Sequence, residues 1–120
     1  MNAKEVSETN KEFQKGLYTG IAVFILLCVV GRSKEPIYGY QIAKMLEESG
    51  PEIPMMKQGT LYPVLRSLEE NGLLESVVEP SVSGPPRRYY KITADGRAAK
   101  DEWTEIWKQI KKFVDANLKG

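Results

Sequence analysis

Side chains suited to binding phosphate occur at three places in this 120-residue chain. Two of them lie near the start of amphipathic stretches, and the third follows a turn-forming segment. The donors at the first place are Tyr38, Tyr40 and Gln41, at the second Tyr62 and Arg66, and at the third Arg87 and Arg88. Phenol, amide and guanidinium groups all donate hydrogen bonds to phosphate oxygens. Ordinary roles are also open, because tyrosines often pack in a core, which we expect for Tyr40, and charges at a loop are usually solvated.

Other chemistry is disfavoured by composition. The chain has no histidine, which excludes histidine acid–base catalysis, histidine-activated nucleophiles and histidine-containing metal sites. The acidic pairs Glu69–Glu70 and Asp101–Glu102 are sequence neighbours, so on helices they point to different faces. With no metal-ligand cluster and no glycine-rich phosphate loop in the sequence, we predict no enzyme activity, no metal and no cofactor.

The single cysteine, Cys28, cannot form an internal disulfide and lies in an apolar run. We expect an inert, buried thiol in a reducing cytoplasm, and the alternative is a redox-sensing thiol. Net charge is only +1, so any affinity for nucleic acid must come from local patches.

The chain is organised around residues 57–74, a stretch that contains a predicted helix. An apolar stripe at helical spacing comprises Leu61, Val64, Leu65 and Leu68. Thr60 is predicted as the N-cap with Pro63 in the first turn, and Asn71-Gly72 as the C-terminal stop. The opposite face is neutral or cationic at its N-terminal end and acidic only at its C-terminal end, which suits insertion beside phosphates. An ordinary amphipathic helix is the competing interpretation.

Two helices are predicted before this one. The first spans about residues 17–30 and stops at Gly31, after a polar segment, residues 1–16, that fits a solvated helix. The second spans residues 38–49, and Gly39 in its first turn would allow close approach to the backbone. The apolar run 21–30 is shorter than the roughly 20 residues that cross a bilayer, so we predict no membrane span and a cytoplasmic protein.

Two short strands follow, at residues 73–79 and 88–92, joined by the turn-forming segment PSVSGPP. The alternation in RYYKI places Tyr90 and Ile92 on one side. This hairpin would be a wing whose base carries Arg87 and Arg88.

The longest predicted helix runs from Thr93, its N-cap, to about Leu118. Its heptad-like apolar seam is too extensive to remain in water, which indicates burial against residues 17–30 and a second subunit. The predicted dimer interface comprises Ile21, Phe24, Ile25, Trp103, Ile106, Trp107, Ile110, Phe113 and Val114.

The order of elements is that of a winged helix-turn-helix with a dimerisation arm, and three segments resemble the PadR family of bacterial transcriptional regulators. They are YGYQI (38–42), GTLYPVL (59–65) with Leu68-Glu69 and Gly72-Leu73-Leu74, and GPPRRYYKIT (84–93) with Gly96-Arg97. The longer charged N-terminus departs from the family pattern, and the short arm looks like the smaller subfamily with one C-terminal helix.

The resemblance implies a mainly α (α+β) fold: a winged helix-turn-helix with a two-stranded wing and a long C-terminal dimerisation helix. We divide the chain into an N-terminal extension (1–16), a DNA-binding domain (17–92) and a dimerisation helix (93–120). The implied partner is a pseudopalindromic double-stranded DNA operator, bound by a homodimer that acts as a repressor. The implied DNA-binding residues are Tyr38, Gly39, Gln41, Lys57, Thr60, Leu61 (through its N–H), Tyr62, Arg66, Arg87 and Arg88.

In some relatives, aromatic side chains of the last helix line a cavity for flat hydrophobic ligands. Trp103 and Trp107 are the candidates for such an effector site, and plain packing on the seam is the alternative. A second function class also stays open, a winged helix that binds proteins and whose basic wing is incidental.

Overall fold

The computed structural model describes residues 2–49 and 58–120. In chain order these form α1 (Ala3–Arg32), β1 (Ile37–Tyr38), α2 (Gly39–Ser49), α3 (Gln58–Glu70), β2 (Leu74–Glu79), β3 (Arg87–Ile92) and α4 (Ala94–Leu118). The predicted fold class, a winged helix-turn-helix with a long C-terminal helix, is confirmed.

Helix α1 is one continuous helix of 30 residues, about 45 Å long. It begins at a capping box in which Asn2 and Glu5 each accept the other's backbone N–H. The sequence indicated two segments meeting at residues 16 and 17 and a stop at Gly31, but the helix runs through both places. A glycine inside a helix costs only about 1 kcal/mol, so it does not end the helix without a further signal.

The hydrophobic core lies between the C-terminal half of α1, helices α2 and α3, and the sheet. Its fully buried large side chains are Leu26, Leu27, Val30, Ile42, Leu61, Leu65 and Leu74. Leu68 is also buried and Val64 packs at the edge of the core, so the stripe predicted for α3 is confirmed.

The ends of α3 bear out one prediction and correct another. Because the helix begins at Gln58, Thr60 is not the N-cap, and Pro63 lies one turn deeper than predicted. There the proline removes the hydrogen bond that would reach the carbonyl of residue 59. At the other end Gly72 has φ +77°, and the amides of Gly72 and Leu73 donate to the carbonyls of Glu69 and Leu68. This is a Schellman cap, as the Asn71-Gly72 pair predicted.

The sheet is antiparallel in the order β1-β3-β2. Tyr90 of the central strand β3 pairs with Ile37 of β1 on one side and with Ser76 of β2 on the other. Strand β1 is absent from the prediction, which placed Tyr38 at the start of the second helix. Two residues are too few to show a period, and this strand exists because it pairs with a segment about fifty residues away. The predicted hairpin of β2 and β3 is confirmed, and Tyr90 and Ile92 are both buried on one face.

Helix α4 begins at the predicted cap. The Thr93 hydroxyl accepts from the Gly96 amide (2.9 Å) and donates to the Gly72 carbonyl (2.7 Å), which joins the start of α4 to the end of α3. Gly96 is buried against the carbonyl of Leu73, and a Cβ built on Gly96 would lie 2.1 Å from that oxygen. Only glycine allows this approach.

The stretch Ser7–Arg32 of α1 is long and apolar enough to cross a membrane by length and composition alone, although the apolar run itself is short. Its C-terminal half includes Ala22, Leu26 and Leu27, which are fully buried in the core of the domain. Moving this helix into lipid would therefore dismantle the core.

Cys28 is half-buried rather than buried, and desolvation raises the pKa of its thiol despite the nearby Lys100 and Arg32.

Candidate nucleic-acid interface

The start of α2 touches the exposed face of α3 through Gly39 and Tyr62. A Cβ built on Gly39 would lie 2.4 Å from Cε1 of Tyr62, so the tyrosine ring occupies the space that a side chain would need. The sequence predicted a close approach to the backbone at Gly39, and in the protein the approaching group is this ring. Gly39 thereby sets the spacing between the two helices.

Three tyrosines form an aromatic cluster beside this contact. The Tyr38 ring is stacked with Tyr40, with ring centres 6.3 Å apart, and tilted against Tyr89 at 5.4 Å. Tyr40 is 50% exposed, so our expectation that it packs in the core was wrong. It is an i+2 neighbour of Tyr38 across the strand–helix junction, where helical periodicity does not apply.

Arg87 lies over this cluster, with its guanidinium carbon 4.7 Å from the centre of the Tyr38 ring. Such cation–π contacts orient an arginine without consuming its hydrogen-bond donors. A groove of about 530 Å³ opens here between α2 and the wing, and its walls are Tyr38, Gly39, Tyr40, Tyr62, Ser81, Ser83, Pro85, Pro86, Arg87 and Arg88.

Gln41 has a structural role at the same helix end. Its side-chain oxygen accepts from the backbone N–H of Tyr38 at 3.1 Å, which is half of a capping box. Because Gln41 is exposed, its amide NH₂ remains on the surface as a donor.

Arg88 lies on the opposite face of the wing from Arg87, because successive side chains of a strand alternate. Its Nη1 donates to the Ser76 hydroxyl at 2.8 Å, and that hydroxyl donates in turn to Oε2 of Glu69 on α3. A second cleft, of about 450 Å³, separates α3 from this face of the wing and is lined by Tyr62, Arg66, Glu69, Glu70, Arg88 and Tyr90. Burial raises the pKa of Tyr90, which keeps its hydroxyl protonated.

The remaining predicted residues are distributed as follows. Leu61 is fully buried, so its side chain positions α3 within the core. Thr60 lies in the first turn of α3, and Lys57 lies outside the described residues. Ser76 and Glu69 were missed as partners of Arg88, because only the strand register brings residues 76 and 88 together.

A separate apolar groove of about 470 Å³ runs between α1 and α4. It is lined by Gly16, Leu17, Gly20, Ile21, Val23, Phe24, Trp103, Ile106, Trp107 and Ile110. Trp103 is half-buried against the core, whereas Trp107 is 40% exposed and Ile110 is 52% exposed. Beyond the groove Phe113 and Val114 continue the exposed apolar face of α4, while Ile25 packs at the edge of the core.

Comparison with known proteins decides what kind of protein carries these surfaces. The model of the transcriptional regulator PadR-like family matches residues 26–102, which is more than half of the chain. The chain belongs to the PadR-like family of transcriptional regulators. The predicted resemblance is thereby confirmed, and the role of a transcriptional regulator with it; proteins of this family are generally non-enzymatic.

Individual relatives agree with the family match. This PadR-like chain is 39% identical over 78 residues to a transcriptional regulator of Mycobacterium tuberculosis, covering 65% of this chain and 69% of that protein. The crystal structure of a PadR family transcriptional regulator from Eggerthella lenta superposes with a TM-score of 0.80 at 31% identity, covering 97% of both chains. A PadR-like regulator from Bacillus cereus gives 0.71 at 28% identity, covering 88% of this chain and 98% of that one.

Proposed function

We propose that this PadR-like regulator is a cytoplasmic repressor that binds a pseudopalindromic DNA operator as a homodimer. One observation carries the proposal: Tyr62 and Arg88 line both the groove beside α2 and the cleft beside α3. The two depressions therefore belong to one surface, which runs from the start of α2 across α3 to the wing.

The charges of this surface suit a polyanion. Arg66, Arg87 and Arg88 lie on it, and Glu69 and Glu70 occupy its end near the C-terminus of α3. In a winged helix the N-terminal part of the recognition helix enters the major groove while the flanking elements contact the backbone. Acids at the far end of α3 would then be held away from the phosphates.

The predicted DNA-binding residues receive roles on this basis, with one exception. Arg66 and Tyr62 on α3 face the bases, with Thr60 at the leading turn and Lys57 just before it. Tyr38, Gly39 and Gln41 at the start of α2 contact the phosphate backbone. The N–H predicted for this role at Leu61 is the fourth of α3 and is used within the helix, so we assign it no phosphate contact. Arg87 and Arg88 contact phosphates or the minor groove from the wing.

Homodimerisation would cover the apolar groove between α1 and α4. The exposed side chains Ile106, Trp107, Ile110, Phe113 and Val114 lie on one helix and form an apolar face of the kind that marks an interaction surface. Together with Ile21, Phe24, Ile25 and Trp103 they are the proposed interface. A two-fold dimer presents two α3 helices, which requires an operator with inverted half-sites.

A flat aromatic effector would bind in a slot between the two copies of Trp107, whose indole faces would meet across the dimer axis. Trp107 is partly exposed at the groove, whereas Trp103 packs against the core and offers less surface. The effector would release the operator only by binding one dimer geometry more tightly than the other.

The test is a titration of the full chain with duplex DNA from the region upstream of its own gene, followed by footprinting. We expect protection of an inverted repeat and an affinity that falls steeply with salt. Binding of unrelated duplexes should be at least a thousandfold weaker, the lower end of specific recognition. Salt-insensitive or absent DNA binding would instead favour a winged helix that binds proteins.

A further inference from the structure

Within the proposed DNA-binding surface, the recognition helix and the wing are joined by a chain of hydrogen bonds. We propose that Glu69 is a positioning residue for DNA recognition, which acts through the Ser76 hydroxyl to hold Arg88 of the wing against the recognition helix. The inference rests on the proposed function and adds to it a residue that opposes DNA by charge but favours binding through geometry.

Glu69 lies at the C-terminal end of α3, the recognition helix of the proposed DNA-binding surface. It is the penultimate residue of the helix, and its backbone carbonyl accepts the Gly72 amide within the Schellman cap. Its side chain is half-buried and Oε2 accepts from the Ser76 hydroxyl. The carboxylate is therefore attached to the rigid end of the recognition helix.

Ser76 and Arg88 lie on neighbouring strands of the wing and are hydrogen-bonded to each other. Ser76 pairs with Tyr90 and Arg88 pairs with Val78, so Ser76 and Arg88 are diagonal neighbours on the same face of the hairpin. Nη1 of Arg88 donates to the Ser76 hydroxyl at 2.8 Å. A serine hydroxyl has one proton to donate, and here it goes to Glu69 while the oxygen accepts from Arg88.

The hydrogen bond to Ser76 restricts the conformations of the Arg88 side chain before DNA binds. A long side chain free in solution loses rotamer freedom when it binds, and a side chain that is already held loses less. Arg88 lines both clefts and keeps guanidinium donors other than the one given to Ser76. The network thus orients Arg88 before DNA arrives and fixes the distance between wing and α3.

Charge alone predicts the opposite effect of Glu69. A carboxylate near a polyanion weakens binding, so neutralising it should strengthen binding. If Glu69 positions Arg88, neutralising it should weaken binding. The sign of the change therefore separates the two roles.

The chain offers a charge-matched control in Glu70, which lines the same cleft and is exposed. We expect Glu69→Gln to weaken binding to the operator by about 5- to 150-fold, because each of the two subunits has one more side chain to immobilise, at about 2- to 12-fold each. Glu70→Gln should leave affinity unchanged or increase it. Equal strengthening by both variants would overturn the proposal.

Two further variants test the path through Ser76. Ser76→Ala should reproduce the loss seen in Glu69→Gln, and Ser76→Thr, which keeps a hydroxyl, should restore binding. In an Arg88→Ala background Glu69→Gln should no longer weaken binding, because residues that act as one unit are not additive. Additive losses would overturn the proposal.

A measurement without DNA keeps this inference separate from the proposed function. The NMR order parameter of the Arg88 guanidinium should fall in Glu69→Gln and Ser76→Ala but not in Glu70→Gln. If the parent chain binds no DNA, the proposed function fails, and this measurement still decides whether Glu69 holds Arg88. An unchanged order parameter in both variants would overturn the positioning role.

Discussion

The guanidinium of Arg87 lies over the ring of Tyr38, 4.7 Å from its centre, so the wing and the start of α2 are in direct contact. The sequence places these residues 49 positions apart, and the pairing of Tyr38 with Tyr89 in the sheet brings them together. Aromatic support of this kind leaves the guanidinium free to meet a phosphate.

Arg87→Ala is expected to weaken binding to all DNA sequences. Each phosphate contact contributes a slope of about 0.9 in a plot of log affinity against log salt, so losing one contact per subunit should reduce the slope by about 1.8. The measurement is a fluorescence-anisotropy titration at several salt concentrations. Lys91→Ala is the matched control, since it removes one charge from the same face of β3 but away from the loop. Equal slopes for the parent and Arg87→Ala would remove Arg87 from the interface.

Arg66→Ala is expected to act on specificity. If its guanidinium reads a guanine, the substitution should cost about 1–3 kcal/mol per half-site and relax the preference at one position of each half-site. Binding to operator variants substituted at single positions measures this. Arg66→Lys is the informative companion, because it keeps the charge but loses the bidentate geometry. A uniform loss at every operator position would instead make Arg66 a phosphate contact.

Gly39→Ala is expected to destabilise the fold. The new methyl group would overlap the Tyr62 ring, and overpacking of this kind costs about 1–3 kcal/mol. Thermal or urea unfolding measures the loss. In a Tyr62→Ala background the same substitution should cost much less, because the ring it meets is gone. If Gly39→Ala is equally harmful in both backgrounds, the ring is not the cause.

Ile110→Glu is expected to abolish the dimer. An unpaired carboxylate in an apolar interface costs several kcal/mol. Sedimentation should show a dimeric parent and a monomeric or unfolded variant, and circular dichroism tells these last two apart. Gln109→Glu, one residue earlier on α4, adds the same charge outside the groove and should remain dimeric. A parent that is monomeric at micromolar concentration would contradict the dimer and the palindromic operator with it.

Trp107 is expected to report the binding of planar aromatic dyes. Offset stacking on an indole contributes about 0.5–1.5 kcal/mol beyond the apolar area buried. A dye in the groove should quench tryptophan fluorescence in the parent and in Trp103→Ala, but not in Trp107→Ala. Quenching that survives in Trp107→Ala would place the dye elsewhere, and no quenching by any dye would exclude the slot.

Local patterns predicted the elements whose cause is local. The leucine stripe of α3, the glycine stop at Gly72 and the threonine cap at Thr93 each depend on residues within one or two turns, and all three are confirmed. The start of α3 was misplaced because Thr60 is a preferred N-cap residue, whereas the helix already begins two residues earlier, at Gln58.

Features caused by distant pairing were not predictable in the same way. Strand β1 requires β3, and the exposed position of Tyr40 follows from the strand–helix junction that β1 creates. The partnership of Ser76 with Arg88 depends on the register of the hairpin, in which a slip of one residue would turn Ser76 to the other face.

Because α1 is one continuous helix, it can transmit a tilt from its exposed N-terminal half to the core. Ala22 is locked in the core, and Ala3 lies about 28 Å away along the helix axis. If α1 moves as one element, a sideways shift of about 3 Å at the far end corresponds to a tilt of about 6° at Ala22. A partner bound to the exposed N-terminal half of α1 is therefore expected to tilt the C-terminal half, which packs in the core. Because α3 packs in the same core, its orientation toward DNA would change with that tilt.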